Sequence, residues 1–432
     1  AGLRPAQLTV AALTVIHQGV LGTFLQHGKT RSVLKGPRAI PLDEGVLLLK
    51  YAGLDWYSHQ KAADAFCDDE GGWADSVQLA GWLTPGGVVR HVAYASDTAL
   101  EERPQRVLLL LFAPVGCFYF NLRSTIRSQK ARFALVIPEI NDLEAYAERR
   151  REVYKRDLLE FTASGTGDAA LRLALLLQSR RYAREVSCKR CQVITLGTVP
   201  WASQQKTRTA AMSVDLREQK KLVTYQKLKE PLQPHVVPGK AADGEGSFIK
   251  TSVALELFGE NLAAGRIWYE GFAGLMSKAE LYKVLKYEKE GLNKVVREVI
   301  RTAELERGER VVVEACHQAL RRRYGMIKDR AKREGADIEA LFNRENERLR
   351  VGLARCKNAT SLRQELTDFW SRAGQLKALQ DDWDAVLPML DEHWARARDL
   401  ALLALASYKK PEAGRSSAGE GAAASSQSPI DE

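Results

Sequence analysis

One short stretch of the chain joins a strand-like pattern to residues that could read nucleic-acid bases. The segment CQVITLGTVPWASQQKTRT, residues 191–209, is apolar or β-branched from Val193 to Val199, which predicts a strand that ends at Pro200. Beyond the proline there is no carboxylate. A tryptophan can stack, glutamine amides can pair with a base edge, and lysine or arginine can hold phosphate. The candidate residues are Trp201, Gln204, Gln205, Lys206 and Arg208. A surface turn whose tryptophan fills the core is the alternative.

Two further segments concentrate positive charge. NLRSTIRSQKAR, residues 121–132, contains no acidic residue, and a helix would place Arg123, Arg127 and Lys130 on one face. RRRYGMIKDRAKR, residues 321–333, lies on a predicted helix, where it could present a cationic ridge. An ordinary solvated helix surface is the alternative for this second segment. The candidate nucleic-acid-binding residues are Asn121, Arg123, Arg127 and Lys130 in the first segment and Arg321, Lys328 and Lys332 in the second.

The sequence carries no recognisable catalytic constellation. It has no GxxxxGK[ST] phosphate loop, no HExxH pair, no GxSxG elbow and no carboxylate cluster spaced for two magnesium ions. His59 and His91 stand without a partner, and Cys188 with Cys191 supplies only half of a zinc site. In SGTGDAALRL the glycines could cradle a phosphate, although Asp168 as an N-cap is the favoured interpretation. We therefore predict no enzyme activity, no metal and no cofactor.

Composition points to a polyanionic partner. The 432-residue chain carries a formal net charge of +10, which favours nucleic acid or, less well, an anionic membrane surface. Six cysteines in a chain this long fit a reducing compartment. No stretch approaches the length of an apolar membrane span, and no signal peptide opens the sequence, so we expect a cytoplasmic protein without membrane contact.

The pattern along the chain predicts an α+β fold, with a mixed N-terminal domain followed by a C-terminal α-helical bundle. Residues 1–230 alternate strand-like and helical stretches, and residues 231–247 are rich in proline and glycine, which predicts a linker or long exposed loop. Residues 248–408 are almost purely helical, and residues 409–432 have the small, polar composition of a disordered tail.

Within the bundle, an apolar stripe and two helix starts can be predicted. Apolar residues recur every three or four positions between about 309 and 334, which is typical of one face of a long helix. Ser277 with Glu280 and Ser361 with Gln364 have the spacing of capping boxes, in which each side chain satisfies a free backbone amide.

Several long phrases resemble a known family. They are YAGLDWYSHQKAADAF at 51, GWLTPGGVVRH at 81, the segment at 191 quoted above, CHQALRRRYG at 316, DFWSRAG at 368 and RDLALLALASYK at 398. These phrases resemble the large subunit of type I CRISPR Cascade complexes, in the Myxan-type branch that also occurs in type I-B systems and in some CRISPR-associated transposons.

The resemblance implies a non-catalytic subunit of an RNA-guided DNA-binding complex. Such a subunit contacts the 5′ handle of the guide (cr) RNA, recognises the protospacer-adjacent motif (PAM) in target double-stranded DNA and helps to initiate the R-loop. The partners implied are the guide RNA, the target DNA, the Cascade backbone and handle-binding subunits, and either a helicase-nuclease in antiviral defence or a transposition adaptor. An RNA-binding scaffold that reads no DNA motif and an unrecognised metal-dependent nuclease stay open as alternatives.

The resemblance also implies a possible second product of the same gene. Relatives in type I-B systems often make a helical small subunit from an internal start. Met276 directly precedes the predicted Ser277–Glu280 capping box, so a chain that starts near it would begin at a natural helix start. We therefore expect such a partner subunit to begin near Met276.

Overall fold

The structure is a computed structural model of the whole chain. It describes thirteen stretches of the chain: residues 9–23, 35–42, 45–51, 66–78, 101–110, 116–122, 132–153, 155–178, 188–196, 198–200, 205–207, 211–241 and 244–409. The predicted disordered tail therefore falls outside the described residues, apart from Lys409.

The described elements follow one another in a mixed order and then become helical. The helices are α1 (Val10–Thr23), α2 (Pro104–Leu110), α3 (Leu143–Val153), α4 (Thr166–Gln178), α5 (Gln219–Lys229), α6 (Val253–Ala263), α7 (Phe272–Ser277), α8 (Ala279–Leu285), α9 (Lys289–Arg301), α10 (Arg307–Glu334), α11 (Ile338–Arg355), α12 (Ala359–Ala373), α13 (Lys377–Asp391) and α14 (Trp394–Ser407). The strands are β1 (Lys35–Leu42), β2 (Gly45–Tyr51), β3 (Val77–Gln78), β4 (Glu101–Glu102), β5 (Phe118–Leu122), β6 (Arg132–Ile140), β7 (Thr162–Ala163), β8 (Cys188–Leu196), β9 (Thr198–Pro200), β10 (Gln205–Thr207), β11 (Ala211–Asp215), β12 (His235–Ala241) and β13 (Gly244–Lys250). This order confirms the predicted α+β class.

A five-stranded sheet forms the centre of the N-terminal half. Its strand order is β11-β8-β6-β5-β7, with antiparallel pairs except for the parallel pair of β5 and β7. Strand β5 is buried along its whole length, so both of its faces are covered. Helices α1 and α4 pack on this sheet and bury its apolar side chains, among them Phe118, Phe120 and Val193.

The segment predicted as a linker is ordered as part of a second sheet. Residues Glu230–Leu232 form a 3-10 turn, and β12 and β13 then form an antiparallel hairpin. Strand β13 pairs in parallel with β2, which gives a four-stranded sheet of order β1-β2-β13-β12. The prediction of a linker over 231–247 is wrong in this respect, because β2 supplies backbone pairing that a local composition pattern does not reveal. The domain boundaries themselves stay predictions.

Helix α10 is the central element of the helical half. It packs against α11, α12, α13 and α14. Its apolar stripe is buried at Val313, Cys316, Leu320, Tyr324 and Ala331, as the periodicity predicts. The helix begins with a capping box between Glu306 and Glu309 and ends at Gly335, whose φ is 64°.

Both capping boxes predicted from sequence are wrong. Ser277 ends α7 and donates to the carbonyl of Gly274, and α8 begins after Lys278 without a side-chain cap. Helix α12 begins three residues earlier than predicted, because Asn358 accepts from the backbone amide of Ser361 at 2.8 Å. Asparagine is among the preferred N-cap residues, so it takes the role that the pattern gave to the serine.

The structural argument for an internal start near Met276 depended on the capping box of Ser277 and Glu280, which does not form. Met276 is fully buried in α7 rather than free at a helix start. The carboxylate of Asp399 on α14 accepts from the amides of Gly271 at 2.7 Å and Ala273 at 2.9 Å. A chain that began at Met276 would lack both donors and leave a buried carboxylate without them, which is costly.

Helices α4 and α6 approach each other at two glycines. A Cβ atom on Gly259 would lie 2.8 Å from the backbone nitrogen of Asp168, and one on Gly167 would lie 2.4 Å from the carbonyl oxygen of Gly259. The neighbouring Glu260 accepts from the amide of Gly167 at 2.9 Å and from the hydroxyl of Thr166. This contact joins the sheet half to the helical half through closely packed backbone atoms, whose displacement would cost free energy.

Replacing Gly259 should therefore destabilise the whole chain. We expect Gly259→Ala to lower the free energy of unfolding by about 1–3 kcal/mol, because the added methyl group has no space against the backbone of α4. Urea denaturation followed by circular dichroism measures this. The matched control is Gly325→Ala in α10, whose Cβ would meet no atom within 4 Å. It should raise the free energy of unfolding by about 0.5–1 kcal/mol through helix propensity. Equal effects of the two variants would contradict the tight contact.

His317 on α10 is held neutral by its packing against α14. Its Nε2 lies 3.1 Å from the carbonyl oxygen of Ala404 and 3.2 Å from Oγ of Ser407, and its ring contacts Tyr408. Burial lowers the pKa of His317 to about 4, from a usual value of 6.5. The histidine therefore serves the packing of two helices.

The depressed pKa of His317 predicts a loss of stability in acid. Above pH 6.5 the neutral His317 makes its full contribution to the free energy of unfolding. This contribution is lost as the pH falls towards 4, because the histidine takes up a proton in the unfolded chain at a higher pH than in the folded chain. Between pH 7.5 and 4.5 the parent should lose about 1–3 kcal/mol more unfolding free energy than His317→Gln, whose amide can still donate to Ala404. Chemical denaturation of both proteins at the two pH values tests this. Parallel pH profiles would contradict it.

Candidate nucleic-acid interface

The topology of the five-stranded sheet brings two of the predicted segments to one end. Leu122 at the end of β5 pairs with Arg132 at the start of β6, and Phe133 pairs with Leu196 at the end of β8. The connection 123–131 and the chain that continues from β8 therefore leave the sheet at the same end. Sequence separation hides this juxtaposition, because the two segments are about seventy residues apart.

The predicted base-reading segment contains the two short paired strands β9 and β10. Strands β9 and β10 pair antiparallel, with Pro200 opposite Gln205 and Lys206 opposite Val199. Four residues, 201–204, join the two strands. Gln205 and Lys206 thus belong to β10. Trp201, Gln204 and Arg208 lie outside the described residues, as do Arg123, Arg127 and Lys130 of the basic connection.

Asn121 does not belong to this interface. It lies in β5 with only 2% of its surface exposed, and its backbone amide donates to the carbonyl of Phe161 at 2.8 Å. Among the described residues, neither its amide nitrogen nor its amide oxygen has a hydrogen-bonding partner. Burial excludes direct contact of its side chain with nucleic acid, so its placement among the predicted binding residues is wrong.

The cationic ridge on α10 is present and faces solvent. Arg321, Lys328 and Lys332 are all exposed, and their spacing of seven and four residues puts them on one side of the helix, over about 16 Å. Some other cations of this helix are paired, among them Arg330 with Glu334 at 2.9 Å and Arg323 with Glu345 at 3.1 Å. None of the described carboxylates lies within ion-pair distance of the three ridge residues. The ridge is thus an uncompensated line of positive charge.

The cysteine pair in β8 is buried and protonated. Burial raises the pKa of Cys191 to about 12 and also raises the pKa of Cys188, whose thiol donates to the carbonyl of Arg190. Among the described stretches, no group of three or more histidines, cysteines and carboxylates is placed to hold a metal ion. His59 and His91 lie outside those stretches.

Asp168 has a different role from the predicted N-cap. It lies in the first turn of α4, is fully buried, and accepts from the backbone amide of Ser164 at 2.7 Å. Its carboxylate also binds the Nε of Arg172 at 3.0 Å and the hydroxyl of Tyr225. The amide of Gly167, which could have cradled a phosphate, is occupied by Glu260.

A polar groove that the sequence pattern did not indicate runs between α4 and α5. Its volume is about 710 Å³. Its lining residues include Arg156, Glu160, Arg172, Gln178, Gln219, Gln226, Lys229, Glu230 and Gln233. The one sequence feature that could have pointed to it is Arg172, a charged residue inside the apolar run LRLALLL.

No helix within the described part of the chain is both long and apolar enough to cross a bilayer.

Comparison with known proteins gives three matches. Residues 1–111 match the family model of the DevT N-terminal domain, and residues 301–431 match that of the DevT C-terminal domain. The chain is also 32% identical over 431 residues to the CRISPR-associated protein Cas8a1/Csx13 of Myxococcus xanthus (strain DK1622). That alignment covers 94% of this chain and 71% of the relative.

Proposed function

Because the chain belongs to the Cas8a1/Csx13 family of CRISPR-associated proteins, we propose that it is the non-catalytic large subunit of an RNA-guided type I Cascade complex. In this proposal it recognises the PAM in duplex DNA, contacts the 5′ handle of the guide RNA and helps to open the R-loop. Its partners are the guide RNA, the target DNA, the other Cascade subunits, and a helicase-nuclease or transposition adaptor.

One observation supports DNA-motif recognition more than any other. The strands that flank the two candidate segments meet at one end of the five-stranded sheet, where Leu122 pairs with Arg132 and Phe133 pairs with Leu196. The first segment has the side chains that read base edges, and the second has cations and no acid. Recognition of a short duplex motif requires base contacts and phosphate contacts close together, because the phosphate contacts fix the register in which the bases are read.

The ridge on α10 suits a different part of the same task. Three uncompensated cations spaced along a rigid helix can bind the backbone of a strand without reading its sequence. We assign Arg321, Lys328 and Lys332 to the displaced strand or to the guide-target duplex.

A binding assay on the assembled complex tests this function. The purified complex, loaded with guide RNA, is titrated with duplexes that carry a matched target and differ only in the flanking motif. Affinity that depends on the flanking bases supports the proposal. Affinity independent of them would favour an RNA-binding scaffold, and magnesium-dependent cutting by the repurified chain alone would favour a nuclease.

Substitutions in the hairpin segment should separate base reading from charge. Gln204→Ala and Gln205→Ala should each relax the motif preference by about 1–3 kcal/mol, because alanine cannot form the bidentate hydrogen bonds that distinguish the bases. Lys206→Ala should weaken binding evenly across all motifs. The matched control is Lys189→Ala, which removes an exposed lysine at the opposite end of the sheet. If all four variants keep the parental motif preference and affinity, the segment is only a turn.

The basic connection should determine part of the salt dependence. The triple variant Arg123→Ala, Arg127→Ala, Lys130→Ala should reduce the slope of log affinity against log salt by about 0.9 for each duplex phosphate that the variant no longer neutralises. The double variant Lys189→Ala, Lys220→Ala controls for the general reduction of positive charge. Fluorescence anisotropy at four or more salt concentrations gives both slopes. A triple variant with the slope of the double variant would place these cations away from the duplex.

A further inference from the structure

The groove between α4 and α5 gathers three cations, Arg156, Arg172 and Lys229, of which Lys229 has no ion pair with a described carboxylate. Arg172 is buried to 98% and binds Asp168 through its Nε, but its Nη2 has no hydrogen-bonding partner among the described residues. Lys229 is half-buried, and no described carboxylate lies within ion-pair distance of it. Burial lowers the pKa of Lys229, as do the guanidinium groups of Arg172 and, less strongly, Arg156, while the carboxylates of Glu160 and Asp168 raise it. An anion placed between these groups would relieve that repulsion.

The two carboxylates that line the groove do not form an ion pair with Lys229. Glu160 lies 3.7 Å from Arg156, in a pair that is about one-third exposed on both sides. Glu230 is exposed and has no ion pair with the described cations. A buried guanidinium nitrogen without an acceptor is unusual, because burial of an unpaired polar group costs free energy. This nitrogen has almost no accessible surface, so an anion in the groove would stabilise the charge of the Arg172 guanidinium rather than accept directly from Nη2.

The remaining lining of the groove suits a nucleobase. Four glutamines, Gln178, Gln219, Gln226 and Gln233, surround the cations and offer both donors and acceptors. Leu175, Leu176 and Val223 add an apolar surface on which a ring or sugar could rest. A volume of about 710 Å³ is within the range of small-ligand sites, and it is far too small for a duplex.

We propose that this groove binds an unpaired nucleotide of a nucleic-acid strand, with its phosphate between Arg172 and Lys229 and its base edge against the glutamine amides. The choice of nucleic acid, rather than another phosphate-bearing ligand, rests on the proposed function. The site is separate from the candidate DNA-reading end of the sheet. Helix α4 begins beside β7, at that end, and the groove is lined by its second half and by α5.

The test uses the full-length chain and two labelled eight-nucleotide single strands, one of RNA and one of DNA, each containing 4-thiouridine or 4-thiothymidine. Affinity is measured by fluorescence anisotropy, and the attached peptides are identified after irradiation. The variant is Lys229→Gln and the matched control is Lys220→Gln, which removes the same charge from the exposed side of α5. Circular dichroism of both variants checks that the fold is kept.

We expect crosslinks to peptides of α4 or α5 with at least one of the two strands. Lys229→Gln should lower the affinity for that strand by about tenfold, as for one charge-assisted contact, and should reduce these crosslinks. Lys220→Gln should change the affinity by less than threefold. The strand that binds more tightly identifies the source of the nucleotide as guide RNA or displaced DNA.

Equal affinities of the two variants, or no crosslink in α4 or α5 with either strand, would overturn the groove proposal. Neither result would bear on motif recognition by the assembled complex, which is measured separately. Conversely, a complex that ignores the flanking motif would leave the groove result intact. The two proposals can therefore fail independently.

Discussion

The close approach of α4 and α6 is the constraint on which the rest of this structure depends. Backbone meets backbone at Gly167 and Gly259, and Glu260 fixes the register by binding the start of α4. Because α4 also lies on the five-stranded sheet, this one contact sets how the sheet half and the helical half meet. Asp168 in the same turn then holds Arg172 and Tyr225, which fixes α5 against α4 and leaves the polar groove between them.

Carboxylates from distant helices hold several helix starts in the same way. Glu260 binds the start of α4, Glu288 accepts from the amides of Val253 and Ala254 at the start of α6, and Asp399 does the same at α7. Each satisfies amides that a helix cannot satisfy itself and places negative charge at the positive end of the helix dipole. These three helix starts are thereby closed to phosphate.

Ion pairs between nearby residues neutralise many of the charged side chains, so the excess positive charge of the chain is concentrated in a few places. Many arginines pair with a carboxylate three or four residues away, as Arg301 does with Glu298 and Arg350 with Glu347. Such pairs contribute little to the free energy of unfolding, but they reduce the electrostatic potential at the protein surface. The cations without an ion pair among the described residues include the α10 ridge and Lys229 of the groove.

Local patterns in the sequence determined the elements and their class. The long helix with the apolar stripe from 309 to 334 and the change from mixed to helical structure follow from periodicity and turn residues. The single strand predicted before Pro200 is instead divided into β8 and β9, which belong to different sheets. The family could also be identified, because long phrases occur in order along most of the chain. The exposed cations of α10 followed from helical spacing alone.

Only the tertiary structure decided which of these elements meet. The proline- and glycine-rich segment after Glu230 forms strands because β2 lies beside it, and Asn121 is buried because β5 is covered on both faces. Asp168 binds Arg172 and Tyr225 instead of capping its helix, and Asn358 replaces Ser361 as a cap. The groove joins residues from 156 to 233 that share no local pattern. Such contacts depend on pairing and burial between distant segments, which periodicity within one segment cannot encode.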